Sequence, residues 1–298
     1  MTGSGGPIVL LGGAGRVGRL LRRALAVQGG AEGVRVQARI AGPGIDLVWQ
    51  AGDDPGDLTG WLADLRPRLV VCLWGKTGAR GLDANTTLAL TALAAAGKAG
   101  VPRSLFMSSA AVYGALVRPD ISEAMAPAPA NAYGVAKLAM EQAVAAAPVA
   151  GAMDVLILRL ANVIGADMLA DAVACATPEA PLRLDRFADG TAPRRSYASP
   201  MTVARLVRAM ADRPVARGRE ILNLADGPPV AMDALLQARA AAGAPVPWSW
   251  RPAPDTALPV LGLATDRLLA RVPELAGDVR LSPEALVADW LALAEARP

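Results

Sequence analysis

Tyr133-Gly134-Val135-Ala136-Lys137 sets a phenol and an ammonium at i and i+4, which on a helix share one face. The ammonium favours the phenolate, bringing the phenol's pKa toward neutrality so that it can exchange a proton with a hydroxyl or carbonyl. The same lysine can hold a ribose. The chain has three tyrosines among its 298 residues, so an accidental pairing at this spacing is a poor explanation. Upstream, Ser104-Leu105-Phe106-Met107-Ser108-Ser109 reads as a strand ending in small hydroxyls. In a doubly wound sheet ligands sit at that end of a strand. Ser109 is therefore the candidate to donate a hydrogen bond to the reacting oxygen, in contact with the substrate. The chain contains no histidine, which excludes Ser-His-Asp and Cys-His catalysis and nearly all zinc chemistry.

A second constellation lies near the start. Leu10-Leu11-Gly12-Gly13-Ala14-Gly15-Arg16-Val17-Gly18 joins an apolar run to an amphipathic one. In such a loop Gly12 permits the tight turn, Gly15 lets the backbone approach a pyrophosphate, and Gly18 lets the helix pack on the strand. The phosphates then lie over the helix N-terminus, at the amides of Arg16, Val17 and Gly18. An acid roughly 20 residues further on would hold the ribose 2′-hydroxyl of NAD, whereas an arginine suits the 2′-phosphate of NADP. Here that strand ends Val36-Gln37-Ala38-Arg39, with no carboxylate. NADP is the expected cofactor and NAD the alternative, with Arg39, and Arg16 within the loop, as candidates for the 2′-phosphate.

These residues need a scaffold, and the first half supplies the pattern of one. Strands are predicted at 7–11, 34–40, 46–50, 69–74, 104–108 and 155–160, alternating with helices at 16–28, 55–65, 84–99 and 132–147. That alternation is the signature of a parallel sheet covered by helices. After Asn162 the rhythm breaks at Pro178, Pro181 and Pro193. A helix is expected at 203–211, a strand returning to the sheet near 220–225, a Pro- and Trp-rich loop at 245–259, and a closing helix at 283–296. The expected architecture is α/β: a doubly wound parallel Rossmann sheet in residues 1–162, with a small interleaved lobe for the substrate in 163–298.

Composition narrows the function further. Hydrophobic residues make up 53% and charged residues 19%, enough to bury a core and against disorder. The formal charge of +3 comes from 30 basic and 27 acidic residues, scattered rather than gathered, so no nucleic-acid face is expected. Cys72 and Cys175 lack metal-like spacing and read as buried apolar thiols in a reducing compartment. Residues 1–7 lack the order of a signal peptide, and no apolar run approaches a membrane span. The expectation is a cytoplasmic protein acting on a small molecule, away from membranes.

Taken together, the sequence resembles the extended short-chain dehydrogenase/reductase family, which contains nucleotide-sugar epimerases, dehydratases and reductases. The likeness covers nearly the whole chain. It rests on the glycine loop, Asn85 opening its helix, Ser108-Ser109-Ala110-Ala111-Val112-Tyr113-Gly114, Tyr133 to Lys137, and Arg159-Leu160-Ala161-Asn162-Val163-Ile164-Gly165. The resemblance implies that Ser109, Tyr133 and Lys137 form a catalytic triad, that Asn85 lies near the cofactor and that Asn162 faces the substrate. It also implies that Arg195 contacts a substrate diphosphate; Arg251 is a candidate second arm. Family members commonly dimerise through a four-helix bundle, and the Ala- and Leu-rich helices predicted at 84–99 and 132–147 suit such packing.

Three departures stand out. Ala110 and Ala111 occupy the place of the dehydratases' Asp-Glu pair, which argues against 4,6-dehydration. The segment between Asn162 and Arg195 is short, and Ala198-Ser199-Pro200-Met201-Thr202 replaces an acidic run. Three readings follow: an NAD(P)-dependent oxidoreductase acting on a carbonyl or hydroxyl of a sugar-like, possibly nucleotide-linked substrate; a nucleotide-sugar epimerase that keeps its cofactor through the cycle; or a non-catalytic NADP-sensing regulatory protein.

Overall fold

The computed structural model describes residues 5–78, 80–149, 153–216, 218–278 and 282–295. Runs such as Ile8–Leu11 (β1) and Leu69–Cys72 (β4) are apolar throughout and buried at every position. That is what a parallel strand covered on both faces requires. With Val34–Ala38 (β2), Leu47–Val48 (β3), Arg103–Met107 (β5), Asp154–Leu160 and Gly218–Leu224, they form one seven-stranded sheet. Its order is 218–224, 154–160, β5, β4, β1, β2, β3, and every pairing is parallel. After β1 the chain builds outward to β2 and β3, then crosses back to place β4 on the other side of β1. The carboxyl ends of the strands at that reversal border the crevice where such folds bind ligands. The chain is an α/β protein with a doubly wound Rossmann-like sheet.

Helices cover both faces. Arg16–Val27 (α1) buries Gly18, Leu20, Leu21, Ala24 and Leu25, the stripe of an amphipathic helix. Its arginines tie loops down by donating to carbonyls: Arg19 to Ala14, Arg22 to Pro43 and Gly44, and Arg23 to Leu293. Pro55–Leu65 (α2) starts at Asp54, whose carboxylate accepts from Gly56 N at 2.8 Å. Ala84–Lys98 (α3) and Ala132–Ala146 (α4) pack against each other on the face of the sheet that carries α2.

The later elements were harder to foresee. Met168–Cys175 (α5) lies against Leu182–Arg186, Pro200–Asp212 (α6) packs beside α1 on the main sheet, and four short strands stand apart from the seven. These strands, Val230–Ala231, Arg194–Arg195, Val260–Leu263 and Arg118–Ile121, make a second sheet in that order. The expected loop at 245–259 instead contains the strand Trp248–Pro252, parallel to Leu182–Arg186. Trp248 and Trp250 meet edge to face there, with ring centroids 5.0 Å apart. The closing helix runs Pro283–Glu295, and residue 296 lies outside the described residues. Of the two thiols expected to be buried, Cys72 is, and burial pushes it up to about 11; Cys175, at the end of α5, is exposed. Among the described residues, no helix is long and apolar enough to cross a membrane.

Candidate active site

The glycine turn is built by close approach. Gly12 has φ +86°, in the left-handed region that glycine enters without steric cost. A Cβ on Gly18 would lie 2.7 Å from the Gly12 carbonyl oxygen and 2.8 Å from Gly13 C, so only glycine lets α1 sit this close to the turn. No side chain caps α1, whose N-cap is Gly15. The first helical amides, at Arg16, Val17 and Gly18, therefore lack intrahelical partners and face the end where an anion binds best. This cradle fits the diphosphate of a dinucleotide.

Across the reversal, α4 starts at Asn131, whose Oδ1 accepts from Gly134 N at 2.8 Å. Gly134 has a job that sequence reading missed. A Cβ there would lie 2.3 Å from the Ala111 carbonyl oxygen, so its absence lets α4 touch the turn that follows β5. That contact sets Tyr133, in the first turn of α4, close enough to Ser109 for the Ser109 hydroxyl to pull the phenol's pKa down. Ser109 Oγ also accepts from Ala111 N at 3.2 Å.

Lys137 is buried one turn further along. Its Nζ donates to the Met107 carbonyl at 2.7 Å, and a Cβ on Gly75 would lie 3.2 Å from it. Asn85 is buried beside the same glycine; its Oδ1 accepts from Lys76 N at 2.7 Å and its Nδ2 donates to Lys76 O at 3.1 Å. Ser109, Tyr133, Lys137 and Asn85 thus line one region at the carboxyl ends of β4 and β5.

The electrostatics differ from the sequence expectation. Burial holds the Tyr133 phenol above its ordinary value, and the opposing pulls are the Ser109 hydroxyl and the charge of Arg16. Lys137 is not the cation that lowers it here, because its ammonium is drawn down to the β5 carbonyl. Burial lowers the Lys137 pKa, against the pull of Cys72 and Glu141.

The Arg16 guanidinium pairs with Asp171 of α5 at 2.5 Å, and both side chains are well exposed. Arg39 remains exposed just beyond β2, with no ion pair among the described residues.

A buried polar chain, also unforeseen, backs the site. Glu141, two turns past Tyr133 on α4, accepts from Ser108 Oγ at 2.5 Å and pairs with Arg159 at 2.7 Å. Arg159 Nη1 reaches the Tyr113 hydroxyl at 2.6 Å, which in turn donates to Asn223 Oδ1 at 3.1 Å. The i+4 spacing from Lys137 to Glu141 was the available signal.

The remaining candidates sit on short strands after the seven-stranded sheet's 154–160 strand. Asn162 is exposed on a short strand paired with Tyr197–Ala198. Arg195 is half-buried and donates to the Arg194 carbonyl at 2.8 Å. Arg251 pairs with Asp185 at 2.6 Å, and Asp185 also acts on Arg195 through its charge. Arg251 and Asp185 face each other in register across the two strands. Among the described residues, no hydrogen bond or ion pair joins either arginine to Ser109, Tyr133 or Lys137.

Comparison with known proteins adds to this geometry. The model for the "NAD dependent epimerase/dehydratase family" matches residues 8–225. A dTDP-6-deoxy-L-talose 4-dehydrogenase (NAD(P)(+)) of Kitasatospora kifunensis is 32% identical over 169 residues, 53% of each chain. A UDP-glucose 4-epimerase of Azospirillum brasilense is 43% identical over 83 residues, 28% of this chain and 24% of that one. The matches span from about a quarter to about half the length of these curated relatives. Among solved structures, the UDP-glucose 4-epimerase from Brucella ovis in complex with NAD has a TM-score of 0.78 at 23% identity, covering 98% of this chain and 100% of that one. The enzyme of the same name from Bifidobacterium longum, in complex with NAD+ and UDP, gives 0.73 at 20%, covering 96% and 98%. At such identities the structural likeness speaks for the fold.

Proposed function

Because the chain belongs to the NAD dependent epimerase/dehydratase family, we propose that it is an NAD(P)-dependent oxidoreductase interconverting a carbonyl and a hydroxyl on a sugar-like, nucleotide-linked substrate. The observation that carries this reading is that the Gly134–Ala111 close approach brings Tyr133 beside Ser109, at the ligand edge of the sheet and near an uncapped helix N-terminus. The dinucleotide supplies and receives hydride when bound. The chain's own residues handle the proton: Tyr133 exchanges it with the substrate oxygen, and Ser109 donates to that oxygen. Lys137 and Asn85 hold the nicotinamide side, while Asn162 and Arg195 face the substrate from the elements after Asn162. The reading is tested by following reduced nicotinamide at 340 nm (absorbance) with a panel of nucleotide sugars; no turnover of any member overturns it.

The matches to UDP-glucose 4-epimerases favour a second reading, in which the cofactor stays bound and the sugar is oxidised and re-reduced. Cofactor retained through purification, with an exchange of epimers and no net change in reduced nicotinamide, distinguishes the two.

NADP is the preferred dinucleotide on this reading, through Arg39 with Arg16 as a second candidate, since β2 ends without a carboxylate. Arg39→Ala is expected to weaken NADP by about 10-fold, in line with loss of one charge-assisted bond, and to leave NAD unchanged. Equal effects on both in a calorimetric titration refute the assignment. The molecule further acts as a homodimer through α3 and α4, where Val135 is 55% exposed on the outer face of α4; a light-scattering mass of one chain excludes this.

A further inference from the structure

Two indoles occupy the ligand edge of the sheet where the expected ribose-binding acid is missing. Trp74 follows β4, and its ring stacks on buried Trp49 with centroids 5.1 Å apart and planes 20° apart. Trp74 Nε1 donates to Gln37 Oε1 at 2.7 Å. The same oxygen accepts from Gly12 N at 2.9 Å, while Gln37 Nε2 donates to the Trp49 carbonyl at 2.5 Å. Trp49 Nε1 donates in turn to the Asp54 carbonyl at 3.0 Å. Every polar atom of these three side chains is thus satisfied, and the rotamer of Trp74 is locked. A Cβ on Gly12 would lie 2.8 Å from Trp74 Cδ1, so the indole borders the glycine turn itself.

A rigid indole with its N–H satisfied and one face covered by a second indole, in a residue that keeps partial exposure, has only π surface left to offer a ligand. Resting on the dinucleotide reading above, we propose that Trp74 is a stacking platform for the adenine of the dinucleotide, with Trp49 as its backing and Gln37 as its anchor. Aromatic stacking holds a base without any contact to the ribose hydroxyls. It therefore replaces the carboxylate that other dinucleotide folds place at the end of the second strand. Gln37 couples the platform to the turn, because one amide oxygen accepts from both.

The test uses the intact protein, titrated calorimetrically with ADP-ribose, which carries the adenine, and with nicotinamide mononucleotide, which does not. Trp74→Ala is expected to weaken ADP-ribose by about 10-fold or more, with nicotinamide mononucleotide unaffected, and Trp74→Phe to retain most of the affinity. Quenching of tryptophan fluorescence by ADP-ribose in the wild type is expected to disappear in Trp74→Phe. If Trp74→Ala does not fold, Trp74→Leu, which keeps apolar bulk without a π face, decides by ranking below Trp74→Phe. Unchanged affinity in Trp74→Ala or Trp74→Leu overturns the platform but leaves the dinucleotide reading standing. So does tighter binding, which would mean that the indole fills the space instead. Failure of the wild type to bind either probe, or NADP and NAD, overturns both.

Discussion

Tyr133→Phe is expected to lower turnover by about 10³-fold, the usual worth of a positioned acid or base, while dinucleotide affinity stays as it was. The phenyl ring keeps the packing of the phenol and removes only the hydroxyl that would exchange the proton. The pH dependence of the wild type should carry the same signature. Burial holds the phenol above its ordinary value, so it is protonated through neutrality and ready to donate to a carbonyl. In the reverse direction it must first lose its proton. Carbonyl reduction should therefore be flat across neutral pH and fall only as the phenol ionises, whereas alcohol oxidation should climb with rising pH. Steady-state rates in both directions across pH, for wild type and variant, check this. Retained turnover in Tyr133→Phe would remove the phenol from the chemistry.

Arg159→Met is expected to cost about 3–5 kcal/mol of folding stability, the penalty for leaving a buried carboxylate without its partner. Arg159 and Glu141 side chains are 5% and 2% exposed and meet at 2.7 Å. Glu141 is also the acceptor for Ser108, the chain neighbour of Ser109. The double variant Glu141→Leu with Arg159→Met should recover much of the loss, since an apolar pair of similar bulk replaces a buried ion pair at little or no net cost. Urea unfolding of the two single variants and the double variant forms a cycle that isolates the pair. Additive losses would show that the two groups do not act together.

The scaffold was far more legible in the sequence than the later elements. β1, β4 and β5 read directly because strands buried on both faces are continuous apolar runs. Helices such as α1 announce themselves by their stripe. The strand Trp248–Pro252 did not, because its pairing with Leu182–Arg186 is remote and its proline and tryptophans read as loop. α5 lacked a strong stripe and depends on the Asp167 cap, whose carboxylate accepts from Ala170 N at 3.1 Å. Within the site, residue types and spacing singled out Ser109, Tyr133 and Lys137. Their geometry was hidden for a physical reason: Lys137 answers to a carbonyl on β5, and Arg16 to a carboxylate more than a hundred residues away. Gly134 and Gln37 were equally hidden, since their worth lies in what a neighbouring backbone needs.

The bond from Arg16 to Asp171 is a fastening open to water. It ties the end of the glycine turn to α5, and its two side chains are 45% and 60% exposed. A fastening so well hydrated holds with about 1 kcal/mol or less and loosens as salt rises. The tie between the glycine turn and α5 therefore yields to salt while the sheet beneath, held by its buried strands, does not.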